Sequence, residues 1–335
     1  MRLKNHGLPR GKVGADRKVL ALQSEGWIGL RGSDVYRILG IGELLWDVLP
    51  EGAQLGGAPA NYSVMAARLG DHAAVVSRIG GDELGRRALE VLEAFPVDRS
   101  LLQVDPELPT GRVTVALTDG QASYTIHQPV AWDNLTITSE WLRAAEAADA
   151  VCFGSLAQRD ARSRETIHAL VRATRRECER IFDVNLRTPY YSAEILGESL
   201  KLASVVKMND AEVPVVAGLL GLAPGKIGLR EGADLMLAAF PNLKLVAITR
   251  GGEGSLLVGR HEWHEHPGIR IKVADTIGAG DCFTAAMTHY LLRGAPLETL
   301  NEAGNRWGGY VASQAGAMPP ISSETLQRIT GEIEG

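Results

Sequence analysis

A short glycine-rich segment, Asp275–Asp281, places small residues between two carboxylates. Gly278, Ala279 and Gly280 allow the backbone to turn tightly and allow an anion to approach its N–H groups. An apolar, helix-like run follows directly, and it adds unpaired amides and the positive end of a helix dipole. The segment therefore predicts a site for a phosphoryl group or an oxyanion, with Asp281 as a carboxylate that takes part in the chemistry. The alternative is an ordinary glycine-rich turn capped by Asp281.

Four further motifs lie in order along the chain and contain residue types that bind sugars, phosphates and metal ions. They are Gly56–Asn61, Asp183–Arg187, Asn209–Glu212 and Thr249–Gly254. Together with Asp275–Asp281, they resemble the motifs of the PfkB family, the ribokinase-like carbohydrate kinases, in type and in order. Within that family, Gly42–Asp47 and the Gly56–Asn61 run are most similar to the fructokinases.

The hydrophobic pattern and the resemblance both indicate an α/β fold. From Tyr36 onward, short apolar strand-like segments alternate with helix-like segments, which is typical of a mostly parallel sheet with helices on both faces. The resemblance implies a ribokinase-like three-layer α/β/α sandwich with a small β-sheet lid, in one sugar-kinase domain over residues 34–330. Residues 1–33 lie outside the resemblance and are rich in Lys and Arg. We expect a flexible or loosely docked extension there, with an organellar targeting segment as the alternative.

One part of the chain breaks the alternation of strands and helices. Arg112–Thr118 and Gln121–His127 each alternate with period two and flank Asp119-Gly120, a strong signal for a two-residue hairpin turn. The resemblance implies that lid strands from about residues 44–55 and 111–128 cover the sugar and exclude water. A surface hairpin without a catalytic role is the alternative. An exposed edge of this lid leads us to expect a homodimer.

The resemblance also implies the reaction and the residues that bind its two small-molecule partners, a sugar and ATP. Asp281 would be the catalytic base, and the backbone amides of Gly278, Ala279 and Gly280 would face the transferred phosphoryl group. The residues expected to bind the sugar are Asp47, Gly56, Gly57, Asn61, Asn185 and Arg187. Asp47, expected at the end of a strand, would accept hydrogen bonds from two hydroxyls, and Arg187 would supply a planar cation.

The residues expected at the nucleotide and at the metal ions follow from the same resemblance. ATP would contact Asn209, Thr249, Gly251, Gly254 and Asn305. Asn209 and Glu212 stand three residues apart and are expected to share a helix face, where Glu212 would organise Mg²⁺ through water. Asp275, with the backbone near Ala317, falls where many relatives bind a monovalent cation, so K⁺ is a further candidate cofactor.

Composition disfavours several other classes of function. The net charge is −5 and the pI is near 5.9, so the chain lacks the basic character typical of nucleic-acid binding. No apolar run approaches the ~18 residues that a membrane-spanning helix needs. Cys152, Cys178 and Cys282 are widely spaced, which argues against a disulfide framework and predicts a cytoplasmic location.

Other proteins share parts of this pattern. A dinucleotide-dependent dehydrogenase is disfavoured because Gly40-Ile41-Gly42 lacks the third glycine of that fingerprint. A non-catalytic sugar-binding relative would be expected to have lost Asp281, its glycines or the Asn209 and Glu212 pair. Among kinase substrates, D-fructose is the first candidate, and ribose, 2-keto-3-deoxygluconate and nucleosides are the alternatives.

His261–His266 is rich in residue types that bind metal ions. Its spacing matches no zinc motif, and strand-like runs flank it on both sides. We therefore expect a solvated turn there rather than a metal site.

Overall fold

The computed structural model describes residues 35–49, 52–118, 121–223 and 225–335. Its strands are β1 (Arg37–Ile41), β2 (Leu45–Leu49), β3 (Gly52–Gly56), β4 (His72–Gly80), β5 (Leu102–Asp105), β6 (Gly111–Thr118), β7 (Gln121–Ile126), β8 (Ala150–Gly154), β9 (Glu179–Asp183), β10 (Val205–Asn209), β11 (Leu245–Thr249), β12 (Ser255–Gly259) and β13 (Trp263–His266). Its helices are α1 (Ala58–Arg68), α2 (Glu83–Glu93), α3 (Ser139–Ala147), α4 (Ala161–Ala173), α5 (Ala193–Leu202), α6 (Glu212–Leu219), α7 (Leu229–Ala239), α8 (Ala279–Leu292), α9 (Leu297–Ala312) and α10 (Ser323–Glu334). Within these ranges, no helix combines the length and the apolar character needed to cross a membrane. The predicted extension at residues 1–33 and the predicted Asp119-Gly120 turn lie outside the described residues.

Nine of the described strands form one sheet in the order β13-β12-β11-β10-β9-β8-β1-β4-β5. The strands from β11 to β5 pair in parallel, while β12 and β13 add an antiparallel edge. Because parallel neighbours need crossover connections, helices return the chain between most of these strands. The sheet is therefore mostly parallel, as the alternating pattern predicts.

The core lies on both faces of the large sheet. In β1, Ile38 belongs to one buried apolar cluster and Leu39 to the other, because successive side chains of a strand point to opposite faces. Helices α3 to α7 pack in the cluster that contains Leu39, and α1, α2 and α8 to α10 pack in the cluster that contains Ile38. The predicted three-layer α/β/α sandwich is confirmed.

Helix α1 forms where local signals predict a helix. Pro59 occupies its first turn, where the missing N–H of proline costs no hydrogen bond. The helix ends at Arg68, and Gly70 follows with a φ of 100°, a conformation that other residues rarely adopt. These two residues fix the helix bounds and so the position of its amino end.

A second sheet contains four of the described strands in the order β3-β2-β6-β7. Strand β2 pairs antiparallel with β3 and parallel with β6, and β6 pairs antiparallel with β7. The small sheet that the resemblance implies is therefore present. Asp47 lies in the middle of β2, opposite Gln54 of β3, and not at the end of a strand as expected. Its side chain is consequently carried on the face of the sheet rather than on a loop.

The expectation of a solvated turn at His261–His266 holds for His261 and Glu262, which are exposed between β12 and β13, and is wrong for the rest of the segment. Trp263–His266 form the edge strand β13, because β12 offers an antiparallel partner that local spacing does not reveal. His266 is buried, and Asn301 Nδ2 lies 3.1 Å from Nδ1 of His264. Among the described residues, no group of His, Cys, Asp or Glu is arranged to hold a metal ion by itself.

Candidate active site

The sequence motifs meet at one edge of the large sheet. The parallel strands β1, β9, β10 and β11 each end directly before a segment that carries one of them. Since the carboxyl ends of parallel strands lie at the same edge, these segments line a common crevice, where α/β proteins bind their ligands. We call this region the crevice.

A hydrogen bond joins the two most distant motifs. Asn61, in the first turns of α1, donates from Nδ2 to Oδ2 of Asp281 at 2.7 Å, across 220 positions of the sequence. Asp281 itself lies in the first turn of α8 and is half-buried. The amino ends of both helices therefore face the same carboxylate.

Burial and neighbouring charges set the acidity of Asp281. Burial, followed by the negative charge of Asp183, raises the pKa of Asp281 to about 6. The Lys207 ammonium, the hydrogen bond from Asn61 and the Arg187 guanidinium oppose this rise. A carboxylate with such a pKa is mostly ionised at pH 7 and still basic enough to accept a proton in a transition state.

The glycines before Asp281 are required by close packing. Gly278 has a φ of 76°, and a β-carbon there would lie 2.8 Å from Ala317. A β-carbon at Gly280 would lie 2.9 Å from Nζ of Lys207. The Ala279 amide donates to the carbonyl oxygen three residues earlier at 3.3 Å, and no side chain caps the helix. The amides of Gly280 and Asp281 have no intrahelical partner, as at the start of any helix, and can bind an anion, whereas the Cys282 amide donates to the carbonyl oxygen of Gly278 at 2.9 Å.

A buried ion pair that the motif analysis missed lies beneath this turn. Lys207 Nζ stands 3.1 Å from both carboxylate oxygens of Asp183, and both residues are buried. Thr284 of α8 donates from Oγ1 to Asp183 at 3.1 Å. The signal was present in the sequence, because Lys207 is a charged residue inside the apolar run of β10. A charge in such a strand must be paired.

Two glycines shape the surroundings of Asp47. A β-carbon at Gly56 would lie 2.8 Å from Oδ2 of Asp47, and one at Gly57 would lie 2.4 Å from the carbonyl oxygen of Glu43. Burial raises the pKa of Asp47, the Arg187 guanidinium lowers it, and the charge of Asp275 raises it. Gly56 therefore leaves the Asp47 carboxylate uncovered by a side chain on that side, and Gly57 lets the chain pack closely against the backbone of Glu43.

Arg187 and Asn185 lie on the segment after β9. Asn185 has a φ of 39°, and it is the one non-glycine residue with positive φ in the part of the chain that the structure describes. Strained backbone of this kind concentrates at functional sites. The positive charge of Arg187 lowers the pKa of Glu43, Asp47 and Asp281 alike. The guanidinium therefore lies within electrostatic range of three carboxyl groups of the crevice.

Asn209 and Glu212 do not share a helix face, and that expectation is wrong. Asn209 ends β10 and Glu212 begins α6. The Glu212 amide donates to Oδ1 of Asn209 at 2.9 Å, and the Asn209 amide donates to Oε2 of Glu212 at 2.8 Å. This reciprocal pair resembles a capping box at a strand–helix junction. Oε1 of Glu212 accepts the Leu186 amide at 2.7 Å and so connects the junction to the segment after β9.

The arrangement of Glu212 fits a metal ion that is held mainly by water and phosphate. Each oxygen of its carboxylate accepts one backbone amide, and each keeps a further lone pair. No cluster of protein ligands accompanies it in the described ranges. Magnesium characteristically retains several waters and binds through one or two carboxylates plus substrate phosphates. The role of Glu212 in binding Mg²⁺ stays a prediction.

The residues expected at the nucleotide lie beside one another at the end of β11. Thr249 ends that strand, and Gly254 turns the chain with a φ of 84° into β12. A β-carbon at Gly254 would lie 2.0 Å from the carbonyl oxygen of His266. Asn305 of α9 donates to Oγ of Ser255 at 2.6 Å, so its amide is anchored beside this loop. Gly251 also adopts positive φ, at 55°.

Asp275 connects the loop before α8 to a distant turn. Its Oδ1 accepts the Ile277 amide at 3.0 Å, and its Oδ2 accepts the Gly316 amide at 3.1 Å. A β-carbon at Gly316 would lie 3.2 Å from Oε1 of Gln54 on the small sheet. The turn at Gly316 therefore touches both the crevice and the small sheet. Binding of a monovalent cation there stays a prediction.

Comparison with protein families and curated proteins gives one consistent result. The model of the pfkB family carbohydrate kinases matches residues 51–324. A putative sugar kinase of Pyrococcus horikoshii is 30% identical over 280 residues, which cover 78% of this chain and 85% of that protein. A fructokinase of Vibrio alginolyticus is 29% identical and covers 87% of this chain and 98% of its own. An aminoimidazole riboside kinase of Salmonella typhimurium is 28% identical, with coverages of 84% and 90%.

Solved structures resemble the fold over most of the chain. The Pyrococcus horikoshii sugar kinase in complex with ATP has a TM-score of 0.74 at 29% identity and covers 88% of this chain and 99% of its own. A Vibrio cholerae fructokinase with fructose, ADP and calcium bound has a TM-score of 0.73 at 25% identity, with the same coverages.

Proposed function

The chain belongs to the pfkB family of carbohydrate kinases, and on this premise we propose that it transfers the γ-phosphoryl group of ATP to the terminal hydroxyl of a monosaccharide. D-Fructose is the first candidate, which would give fructose 6-phosphate. The observation that carries this proposal is the Asp281 carboxylate in the first turn of α8, held by Asn61 at 2.7 Å. A base and an anion-binding helix end are thereby combined in one turn.

The chemistry follows from the position of Asp281. Its carboxylate accepts the proton of the attacking sugar hydroxyl, so the oxygen gains nucleophilic character as it bonds to phosphorus. The amides at the start of α8 lie next to this carboxylate and face the negative charge of the transferred group. Asn61 keeps the carboxylate in one orientation by its hydrogen bond. Positioning and electrostatics thus supply most of the acceleration that phosphoryl transfer needs.

The sugar is proposed to lie between Asp47 and Arg187. Asp47 offers a carboxylate to sugar hydroxyls, and Gly56 and Gly57 allow close approach of the backbone. Arg187 balances the negative charge of the neighbouring carboxyl groups. The small sheet, which carries Asp47, would close over the sugar as a lid and exclude water, which otherwise competes as the phosphoryl acceptor.

Mg²⁺, when bound with ATP, neutralises phosphate charge. Glu212 and Asn209 would hold its waters and the phosphates from the β10–α6 junction. Thr249, Gly251, Gly254 and Asn305 would line the nucleotide, and Asp275 would bind K⁺.

A cytoplasmic location agrees with the three unpaired buried cysteines. Pairing of two copies through the outer strand β7 agrees with the exposed Tyr124 on that strand.

The names of the relatives favour fructose but leave a second candidate. Several of the relatives carry the name fructokinase, among them one at 29% and one at 31% identity, and another is an aminoimidazole riboside kinase at 28%. A riboside is therefore the second candidate substrate. Ribose and 2-keto-3-deoxygluconate complete the set of sugars to be compared.

A coupled assay of ADP release with these sugars at a fixed ATP concentration tests the proposal. We expect kcat/KM for fructose to exceed that of every other sugar by at least ~10-fold, because each unpaired polar group in a sugar site costs about 1–3 kcal/mol. If another sugar of the panel is preferred by tenfold, fructose is the wrong substrate and the kinase assignment stands. If no sugar releases ADP above the rate of Asp281→Asn, the kinase proposal itself fails.

A further inference from the structure

Glu43 is a buried carboxylic acid that the proposed reaction does not use. It lies in the turn between β1 and β2 with only 3% of its surface exposed. The backbone amides of Glu43 itself and of Ala58, the first residue of α1, lie near its carboxyl group and act to lower its pKa. Gly57 packs directly against its carbonyl oxygen. The acid is therefore fixed at the amino end of the helix that carries Asn61.

Two buried oxygens next to the catalytic base lack a hydrogen-bond donor. They are Oε2 of Glu43 and Oδ1 of Asn61. A buried acceptor without a donor is rare in native structures and is costly. Since neither oxygen is accessible to solvent, a sugar hydroxyl cannot reach it unless the side chains move. The missing donor must then come from within the protein.

A proton on Glu43 would supply this donor, and the charges around the group favour protonation. Burial and, to a smaller extent, the negative charge of Asp281 raise the pKa of Glu43 to about 7, although the nearby backbone amides and the Arg187 guanidinium oppose the rise. Asp183 and Lys207 also lie near Asp281, where they form an ion pair at 3.1 Å, and the negative charge of Asp183 already raises the pKa of Asp281. A second negative charge next to Asp281 is therefore disfavoured.

We propose that Glu43 is a positioning residue that acts in its protonated form, donating from its carboxyl O–H to Oδ1 of Asn61. Asn61 in turn donates to Asp281, so the three side chains form a relay of hydrogen bonds that fixes the base and keeps it the one charged member. This relay would give both Oε2 of Glu43 and Oδ1 of Asn61 a hydrogen-bond partner. This inference rests on the proposed function for its kinetic consequence, but not for its structural content.

Ionisation of Glu43 has two consequences in this arrangement. The carboxylate no longer donates, so Asn61 loses one of the two hydrogen bonds that orient it. A second negative charge also arises next to the base and near the place where the phosphoryl group arrives. The parent protein should therefore lose kcat/KM as the pH rises through about 7. At pH values well above 7, the loss should be at most roughly tenfold for each further pH unit.

The test compares Glu43→Gln, Glu43→Ala and a matched control, Asp82→Asn. Gln keeps a donor for Asn61 and cannot ionise, so Glu43→Gln should hold kcat/KM within about threefold of the parent at pH 6 and show no decline above pH 7. Glu43→Ala should lower kcat by about tenfold or more and change KM little, because only the alignment of the base is lost. Asp82 is an acid at the amino end of another helix, α2, where its carboxylate accepts a hydrogen bond from the Gly85 amide at 2.8 Å and donates none. Asp82→Asn should therefore keep the pH profile of the parent.

A second measurement is independent of the sugar. In protein labelled with ¹³C at the glutamate carboxyls, one resonance should titrate with a midpoint near 7, and it should be absent from Glu43→Gln. The inference is overturned if no glutamate resonance titrates above pH 6, or if Glu43→Gln retains the pH profile of the parent. A chain that phosphorylates no sugar would refute the proposed function, while the titration would still decide the protonation of Glu43.

Discussion

Asp281 and Asp47 are the two carboxylates assigned to the reacting hydroxyl and to the sugar, and their surroundings differ. Asp281 is held by Asn61 and lies above a buried ion pair of Lys207 and Asp183. Asp47 stands on the small sheet beside Gly56, and Arg187, the cation that lowers its pKa, is exposed. The groups that do the chemistry are thus preorganised between packed layers, whereas the group that recognises the substrate is carried by a sheet with room to adjust. Replacements in the crevice should therefore affect turnover and stability, and replacements on the small sheet should affect substrate choice.

The largest effect is expected for Asp281→Asn in the crevice. The amide cannot accept the proton, so kcat should fall by about 10²–10⁴, the usual contribution of a positioned base. Asn61 can still hydrogen-bond to the new side chain, so the affinities for sugar and ATP should change little. Steady-state kinetics and calorimetric titration with each ligand would check both parts. A variant as active as the parent would remove Asp281 from the mechanism.

Lys207→Met should mainly reduce stability. It leaves the Asp183 carboxylate buried without its cation, which typically costs about 3–5 kcal/mol in the free energy of unfolding. Lys244→Met is the matched control, because Lys244 pairs with Glu179 at 2.8 Å but is exposed, and such pairs contribute about 0–1 kcal/mol. Urea denaturation of both variants measures the difference. Equal losses in the two variants would contradict the assigned role of the buried pair.

Asp47→Ala tests the small sheet. It removes an acceptor for two sugar hydroxyls, so kcat/KM for the preferred sugar should fall by at least ~10² while nucleotide affinity stays nearly constant. Thr125→Ala on β7 of the same sheet serves as the control, since its side chain is exposed and the strand register places it on the face opposite to Asp47. If Asp47→Ala also lost nucleotide affinity, the claim that the small sheet affects only the choice of sugar would be contradicted.

The smallest effect is expected for Glu212→Gln. The neutral side chain should raise the Mg²⁺ concentration needed for half-maximal activity by about tenfold or less, because the ion is held mainly by water and phosphate. The KM for sugar should change less than this. Activity measured over a range of Mg²⁺ concentrations gives both values. Phosphorylation by metal-free protein in the presence of a chelator would refute the metal requirement.

Local sequence signals predicted the fold better than the site. Pro59 and Gly70 fixed the bounds of α1, and the period-two segments predicted β6 and β7. Spacing alone misplaced Asn209 and Glu212 on one helix face, because a pair three residues apart can equally span a strand–helix junction. Spacing also did not reveal β13, whose formation depends on its partner β12.

The contacts that organise the crevice lie beyond the reach of local patterns. Lys207 could be recognised as a charge in an apolar strand, but its partner Asp183 is supplied by the neighbouring strand. The bond from Asn61 to Asp281 joins residues from opposite ends of the domain. Such pairs are decided by tertiary packing, which one sequence without related sequences does not display.

The same long-range bond has a consequence for how the protein becomes active during synthesis. Asn61 leaves the ribosome early and Asp281 late, with 220 positions between them. Sheet pairings up to β11 can form on the growing chain, since domains begin to fold during translation. The base arrives only with α8, when most of the sugar site has already been made. A nascent chain stopped before α8 would carry the residues for sugar recognition but no catalyst, so phosphoryl transfer is withheld until the domain is nearly complete.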